Sequence, residues 1–481
     1  MTTNLTVGHP TRSIVAFTIP LLIGNLFQQV YAFTDAAVVG RLIDVNALAA
    51  VGAAGSLQFL LIGFTFGASG GLAIPTARAF GAGDMAAMRR YVAAGLALSA
   101  GISIVITAIG VLGAHGLLTA LHTPAALIAD TEAFLVVSFL GTSVTMAYNF
   151  LGATIRALGD SRTPLYFLII ACVLNAGLVA FFIGVLKLGV IGASAATVLA
   201  QFVSVVLCLL LIAKRMPQLR IRRADWRFSR AELGETARLG LAMGFQMSVI
   251  AVGAVVLQYA INTLGPDAIA AFTASVRVDQ MASTPLSSFG LAMATYVAQN
   301  RGARQWDRIR VGVFRIMLVV IGAAVTLGAL VIVTGRPIVE LFLGPDEPHI
   351  AEMAHQYLIV SGVCYAILAL LFLYRNTIQG LGATAVPTVA GAMELVLRAG
   401  SGIFLVSHIG FWGVCLASPL AWLGALIPTA IAWMVERRRL IERGLSEQGF
   451  QAEVAHEIAS GESYTVSEPA HPRCDALRLA D

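Results

Sequence analysis

Apolar runs of roughly two dozen residues, each closed by a short polar or basic segment, recur from one end of this chain to the other. A helix needs about 20 residues to cross hydrocarbon. Twelve runs meet that length, at approximately 14–39, 47–74, 91–113, 132–155, 164–185, 190–213, 237–263, 268–298, 312–334, 355–379, 386–408 and 412–435. None alternates apolar and polar residues in the manner of a barrel strand, so the pattern predicts helices, which satisfy their backbone polar groups internally. The expected fold is an all-α integral membrane protein of twelve transmembrane helices.

The loops repeat as well. IRALGDSRTP (Ile155–Pro164) leads into span five and IQGLGATAVP (Ile378–Pro387) into span eleven, with Ile, Leu, Gly and Pro in register. ARAFGAGD (Ala77–Asp84) follows span two and AQNRGARQ (Ala298–Gln305) follows span eight, with Ala and Gly in register. Six spans per half start both halves on the same side, which predicts parallel repeats about an axis along the membrane normal. The expected organisation is an N-terminal lobe over 1–213, a basic linker over 214–236, a C-terminal lobe over 237–440 and a tail over 441–481, helical at first and then disordered. Gly63, Gly67 and Gly71 recur every four residues in span two and predict close approach by another helix. Pro20 in span one and the pair Pro285 and Gly290 in span eight are expected bends.

Composition sharpens the class. Hydrophobic residues make up 58% and charged residues 12%, about half the usual soluble share, with a mean hydropathy of +0.83. The net charge of +5 comes from 31 basic residues that lie mostly between spans, 29 of them Arg. With the N-terminus placed inside, the inner loops hold nearly all of them and the outer loops only Arg41, Lys187 and Arg336. This predicts a multi-pass protein of a plasma (bacterial inner) membrane with both termini cytoplasmic. The basic linker then faces anionic lipid, not nucleic acid. The five cysteines, an odd number, argue against a disulfide framework.

Polar residues inside spans mark the candidate chemistry. Asn25, Gln28 and Asp35 share one face of span one, and such a stripe points to a cavity-lining helix with Asp35 exchanging a proton or a sodium ion. An equal reading puts Asp35 at the outer helix end, among headgroups. Ser138, Thr142, Thr145 and Asn149 fall within about 60° on span four, and Asn175 lies about 16 Å into span five. All are candidate lining groups or helix–helix hydrogen bonds. The second half offers Arg277 and Asp279 in span eight and Glu394 and Arg398 in span eleven. Glu394 and Arg398 suit an intrahelical pair. Arg277 and Asp279 point apart, and Glu394 is the expected partner of Arg277. The quartet reads as a structural ion network, as a second proton relay or as a substrate contact.

No nucleophile elbow, zinc-protease motif or phosphate-binding loop is present, so an enzyme is not expected and no cofactor is implied. The distributed motifs QQVYAFTDAAVVGR (Gln28–Arg41), ARAFGAGD, IRALGDSRTP followed by Asn175, and AQNRGA resemble the multidrug and toxic compound extrusion (MATE) family over nearly the whole chain. The resemblance implies two six-helix bundles in a V around a central cavity. It implies export of small organic, often cationic, compounds in exchange for protons or sodium, and a cation site at Asp35 and Asn175. Ile250 stands where one branch has Glu, and Val179 where many relatives have Asp. The chain therefore looks closer to the DinF-like branch, and a lone carboxylate favours protons over sodium. A monomer is expected. A related lipid-linked oligosaccharide flippase is the alternative, and a membrane-embedded transferase is the alternative from another class.

Overall fold

The computed structural model describes the backbone of residues 4–42, 45–120, 123–343 and 347–460; the side chains of 30–51, 53, 56, 120, 125–126, 341–343 and 448–460 lie outside the description. Among the described residues there are thirteen α-helices and no strand. The first half holds α1 (Pro10–Leu42), α2 (Val45–Gly81), α3 (Met85–Ala120), α4 (Ala125–Leu140), α5 (Thr142–Ala157), α6 (Arg162–Val179) and α7 (Gly189–Arg215). The second holds α8 (Arg230–Asn262), α9 (Pro266–Gly302), α10 (Trp306–Leu343), α11 (Pro348–Gly380), α12 (Ala385–Ile409) and α13 (Phe411–Ser460). A π-helical turn, Ala180–Val185, prolongs α6, and two short 3₁₀ turns lie in the linker.

Thirteen helices make twelve spans because α4 and α5 are one span, bent by 47° at Gly141. A Cβ at Gly141 would collide with Val198 of α7, so the close approach of α7 requires the glycine where the span breaks. Ten other helices are long and apolar enough to cross alone. The remaining one, α9, runs for 37 residues but carries Arg277, Asp279 and a succession of Ser, Thr and Gln. It is shielded by α1, α2, α10 and α11, which pack around it. It continues through Pro285 as α1 does through Pro20. Gly290 accommodates Phe372 and Asn376 of α11. Of the tail, residues 441–460 continue α13 and the rest lies outside the described residues.

The repeated loops have repeated backbones. Gly159 and Gly382, at matching positions of the two repeats, take left-handed φ values of 84° and 74°. Gly83 (75°) is matched by Arg304 (55°), a non-glycine held in the same conformation. Asp84 caps α3 by accepting from the Ala87 N–H at 2.8 Å, and Asp160 caps α6 by accepting from the Thr163 N–H at 3.0 Å. Ser229 and Glu232 form a reciprocal capping box that starts α8.

The halves meet through glycine. The expected partner helix of Gly63, Gly67 and Gly71 is α8: a Cβ on Gly67 would lie 2.5 Å from the Met243 carbonyl oxygen, and one on Gly71 would collide with the Leu239 carbonyl. Further along, Gly81 of α2 abuts the Gln299 carbonyl of α9, and Gly302 of α9 abuts the Arg78 carbonyl of α2. The two contacts are reciprocal, as a twofold relation between repeats requires. Around them runs a polar seal at the arginine-rich end. Arg78 pairs with Glu235 at 2.5 Å, Arg90 with Glu232 at 2.7 Å and Arg89 with Asp225 at 3.2 Å. The Gln299 side chain donates to the Ala157 carbonyl of the first half at 2.7 Å and accepts from the Leu5 N–H at 3.0 Å. Asn300 and Arg308 donate to the Leu5 carbonyl, so the segment before α1 is strapped beneath the second half with Leu5 fully buried.

Gly71→Ala is expected to lower the melting temperature of the detergent-solubilised protein, through an over-packing cost of about 1–3 kcal/mol. Gly101→Ala, with no atom within 4 Å of the new methyl, serves as the control and should be neutral or slightly stabilising. Thermal unfolding followed by size-exclusion chromatography distinguishes the two.

Candidate functional site

A cavity of about 50 Å³ lies within the first half between α1, α5, α6 and α7, flanked by Phe66 of α2 and Leu291 of α9. At roughly 10–15 Å³ per water it has room for a few waters. Asn25 and Gln28 come from α1, and Tyr148, Asn149 and Arg156 from α5. A second, smaller cavity lies between the halves near the arginine-rich end, where Gly70, Ala73 and Ala77 of α2 face Met243 of α8 and Ala294, Thr295 and Ala298 of α9. Arg156 lines both.

The sequence-predicted groups divide. Asn25, Gln28 and Asn149 line the cavity. Asn25 also crosses to the second half, donating to the Ser288 hydroxyl of α9 at 2.9 Å. The stripe on span four is divided by the break at Gly141. Ser138 bonds back to the Phe134 carbonyl of its own helix, Thr145 donates to Gln201 of α7 at 2.6 Å, and Thr142 is buried with its hydroxyl unpartnered. Neither Thr142 nor Thr145 lines the cavity, and Thr145 turns to α7 instead. Asn175 is likewise held by α7: its side-chain amide donates to Thr197 at 3.0 Å and is almost fully buried. Asp35 belongs to α1, but its side chain lies outside the described residues.

Two features are not evident from the sequence pattern of spans and loops. Ser194, Thr197, Gln201 and Ser204 recur at offsets of three, seven and ten on α7, the same one-face signature that identifies span one. Arg156 sits inside α5 rather than in the basic loop to which its neighbours assign it. One of its terminal nitrogens lies 3.3 Å from where a Cβ on Gly152 would be. The side chain therefore folds back along its own helix, over the turn that Gly152 leaves bare.

The second half holds an ion cluster with a different membership from the one expected. Glu394 of α12 accepts from Arg375 of α11 at 2.7 Å and from Arg398, one turn on, at 3.0 Å. The intrahelical pair is present. The partner assigned to Arg277 is corrected: Arg375 takes that place, while Arg277 lies exposed on the opposite face of α9 from Asp279. Asp279 accepts from the Tyr365 hydroxyl at 2.9 Å and lies within electrostatic reach of Arg398. Gln246 of α8 completes the cluster: with its amide oxygen turned to the guanidinium it accepts from Arg375 Nε at 3.1 Å and Nη1 at 3.2 Å. Two acids still balance two bases, but the second base is Arg375, an arginine within an apolar stretch of α11.

Glu394→Gln leaves two buried guanidinium groups facing a neutral amide. The expected destabilisation is about 3–5 kcal/mol, the cost of uncompensated buried charge, read as a large drop in melting temperature. Asp279→Asn, which keeps a partner for Tyr365, is expected to cost less.

The comparisons with known proteins agree with this architecture. The MatE family model matches twice, over residues 20–181 and 242–403, once in each half. The chain is 28% identical over 428 residues to the probable multidrug resistance protein YpnP of Bacillus subtilis, spanning 88% of this chain and 91% of that one. It is 27% identical over 430 residues to the probable multidrug resistance protein YoeA of the same organism, spanning 86% and 92%. Among solved structures, a MATE transporter in complex with MaL6 superposes with a TM-score of 0.84 at 20% identity, over 92% of this chain and 98% of that one. An outward-facing multidrug resistance MATE transporter of the MOP superfamily superposes with a TM-score of 0.84 at 21% identity, over 92% and 99%. With one family model repeated across both halves of a twelve-span bundle, the chain belongs to the MatE family, a family of membrane transporters and not of enzymes.

Proposed function

We propose that this efflux transporter is a proton antiporter in which Asp35 couples proton entry to substrate release. The observation that carries the reading is the course of α1. Its Asn25 and Gln28 line the first-half cavity, and Asp35 follows Gln28 by seven residues, two turns and roughly 10 Å along the same helix. One rigid element therefore joins the hydrated chamber to the carboxylate. Sodium, which takes several oxygen ligands, is the weaker candidate. Asn175 donates to Thr197, and Val179 brings no side-chain oxygen.

In this reading 1–213 and 237–440 are the bodies that rock, and the arginine-rich end, sealed by the α2–α8 and α2–α9 contacts, faces the cytoplasm. Protonation of Asp35 from outside alters hydrogen bonding along α1 and lowers affinity for an organic substrate, which leaves outward. Closure of the outer end and separation of the seal then return the proton inside. Linkage is reciprocal, so bound substrate lowers proton affinity by the same factor. The flippase alternative calls for a strongly cationic chamber. Among the described residues lining the first-half cavity, Arg156 is the one charged group.

Asp35→Asn is expected to insert and fold normally but to lose efflux of ethidium driven by an imposed pH gradient in proteoliposomes. Undiminished pH-driven transport by the variant refutes the role of Asp35. Drive by a sodium gradient at constant pH moves the coupling to sodium.

A further inference from the structure

Resting on the reading of the first-half cavity as a substrate chamber, we propose that Arg156 is a recognition point for an oxyanion, so that the compounds exported include amphiphiles bearing a carboxylate, sulfonate or phosphate. Among the described residues no carboxylate lies within ion-pair distance of its guanidinium, and no acid lines either cavity that it touches. The nearest acid in sequence, Asp160, is committed to the start of α6, accepting from the Arg162 and Thr163 backbone N–H groups and from the Thr163 hydroxyl.

The direction of the side chain separates a binding group from an anchor. An arginine one residue from a helix end at a membrane face ordinarily extends outward to the headgroups. Arg156 folds inward, over Gly152. The repeat supplies a contrast. The position matching Arg156 in the second half is Gln379, a neutral side chain whose amide group lies 2.7 Å from that of Gln246 of α8. The first half instead carries a fixed positive charge with five donors in a planar fork, suited to bidentate pairing with an oxyanion. Tyr148 and Phe66 supply ring surface in the same chamber for the apolar part of the ligand. Because Arg156 lines both the first-half cavity and the one between the halves, a ligand held there sits where the two bodies separate.

The experiment uses 5-carboxyfluorescein as the anionic probe and ethidium as the cationic one, with purified full-length protein in detergent and in proteoliposomes. Wild type should bind carboxyfluorescein by fluorescence anisotropy and export it. Arg156→Gln should weaken that binding by about tenfold or more, the worth of a lost charge-assisted pair, and lower the ratio of carboxyfluorescein to ethidium flux. Arg156→Lys should retain most of both. Displacement of the dye by added phosphatidylglycerol, dependent on Arg156, supports the oxyanion site and assigns it to a lipid headgroup. Equal carboxyfluorescein affinity in wild type and Arg156→Gln overturns the proposal, as does an unchanged flux ratio. Transport of neither dye by wild type defeats the exporter reading instead, and the anisotropy comparison still decides the oxyanion site.

Discussion

Backbone-to-backbone contact between α2 and the pair α8 and α9 is the constraint on which the rest of the structure depends. Lipid supplies no hydrophobic force to press helices together, so the halves must be held by close packing and by polar contacts. Glycine makes that approach possible at Gly67, Gly71, Gly81 and Gly302, where any side chain would strike a carbonyl of the opposite helix. The reciprocal pair at Gly81 and Gly302 locates the axis between the repeats. Everything polar at that end is arranged about it: the Arg78–Glu235 and Arg90–Glu232 pairs, and the Gln299 amide that bridges to Ala157.

The two halves share a backbone plan but divide the chemistry. Matching loops take matching left-handed turns, yet Arg156 in one repeat is Gln379 in the other, and Asp160 is Ala383. The first half keeps a small chamber whose described lining has neutral polar groups and one guanidinium. The second gathers two acids and two arginines into a neutral, closed cluster around Glu394, drawn from α8, α9, α11 and α12. A closed cluster of this kind resists separation of its helices. An open chamber tolerates a change of contents. The asymmetry fits a second half that moves as a body and a first half that carries the exchangeable ligands.

Much of this is legible in the sequence because bilayer thickness converts apolar runs directly into spans. The twelve spans, the repeated loops and the small-residue face of α2 follow from length and periodicity. Asn25, Gln28 and Asn149 can be found because amide groups facing hydrocarbon are costly, so a polar stripe on an apolar helix turns towards water or towards other polar groups. For Thr145 and Asn175 periodicity gives a face but not what covers it, and α7 supplies a hydrogen-bond partner to both. The break at Gly141 is hidden because the apolar run continues through it, and Val198, the side chain that requires a glycine there, is more than fifty residues away. Arg375 is easily missed because a single charge barely disturbs the hydropathy of a long span. The partner of the α2 glycines cannot be read, since close approach states only that some helix fits there.

The strap formed by the residues before α1 has a consequence for biogenesis. Leu5 finds its partners at Gln299, Asn300 and Arg308, so nearly two-thirds of the polypeptide must leave the ribosome before the segment around Leu5 can seat. Docking of that segment therefore waits on the second half, and a bulky fusion there would obstruct the step even though it touches none of the spans.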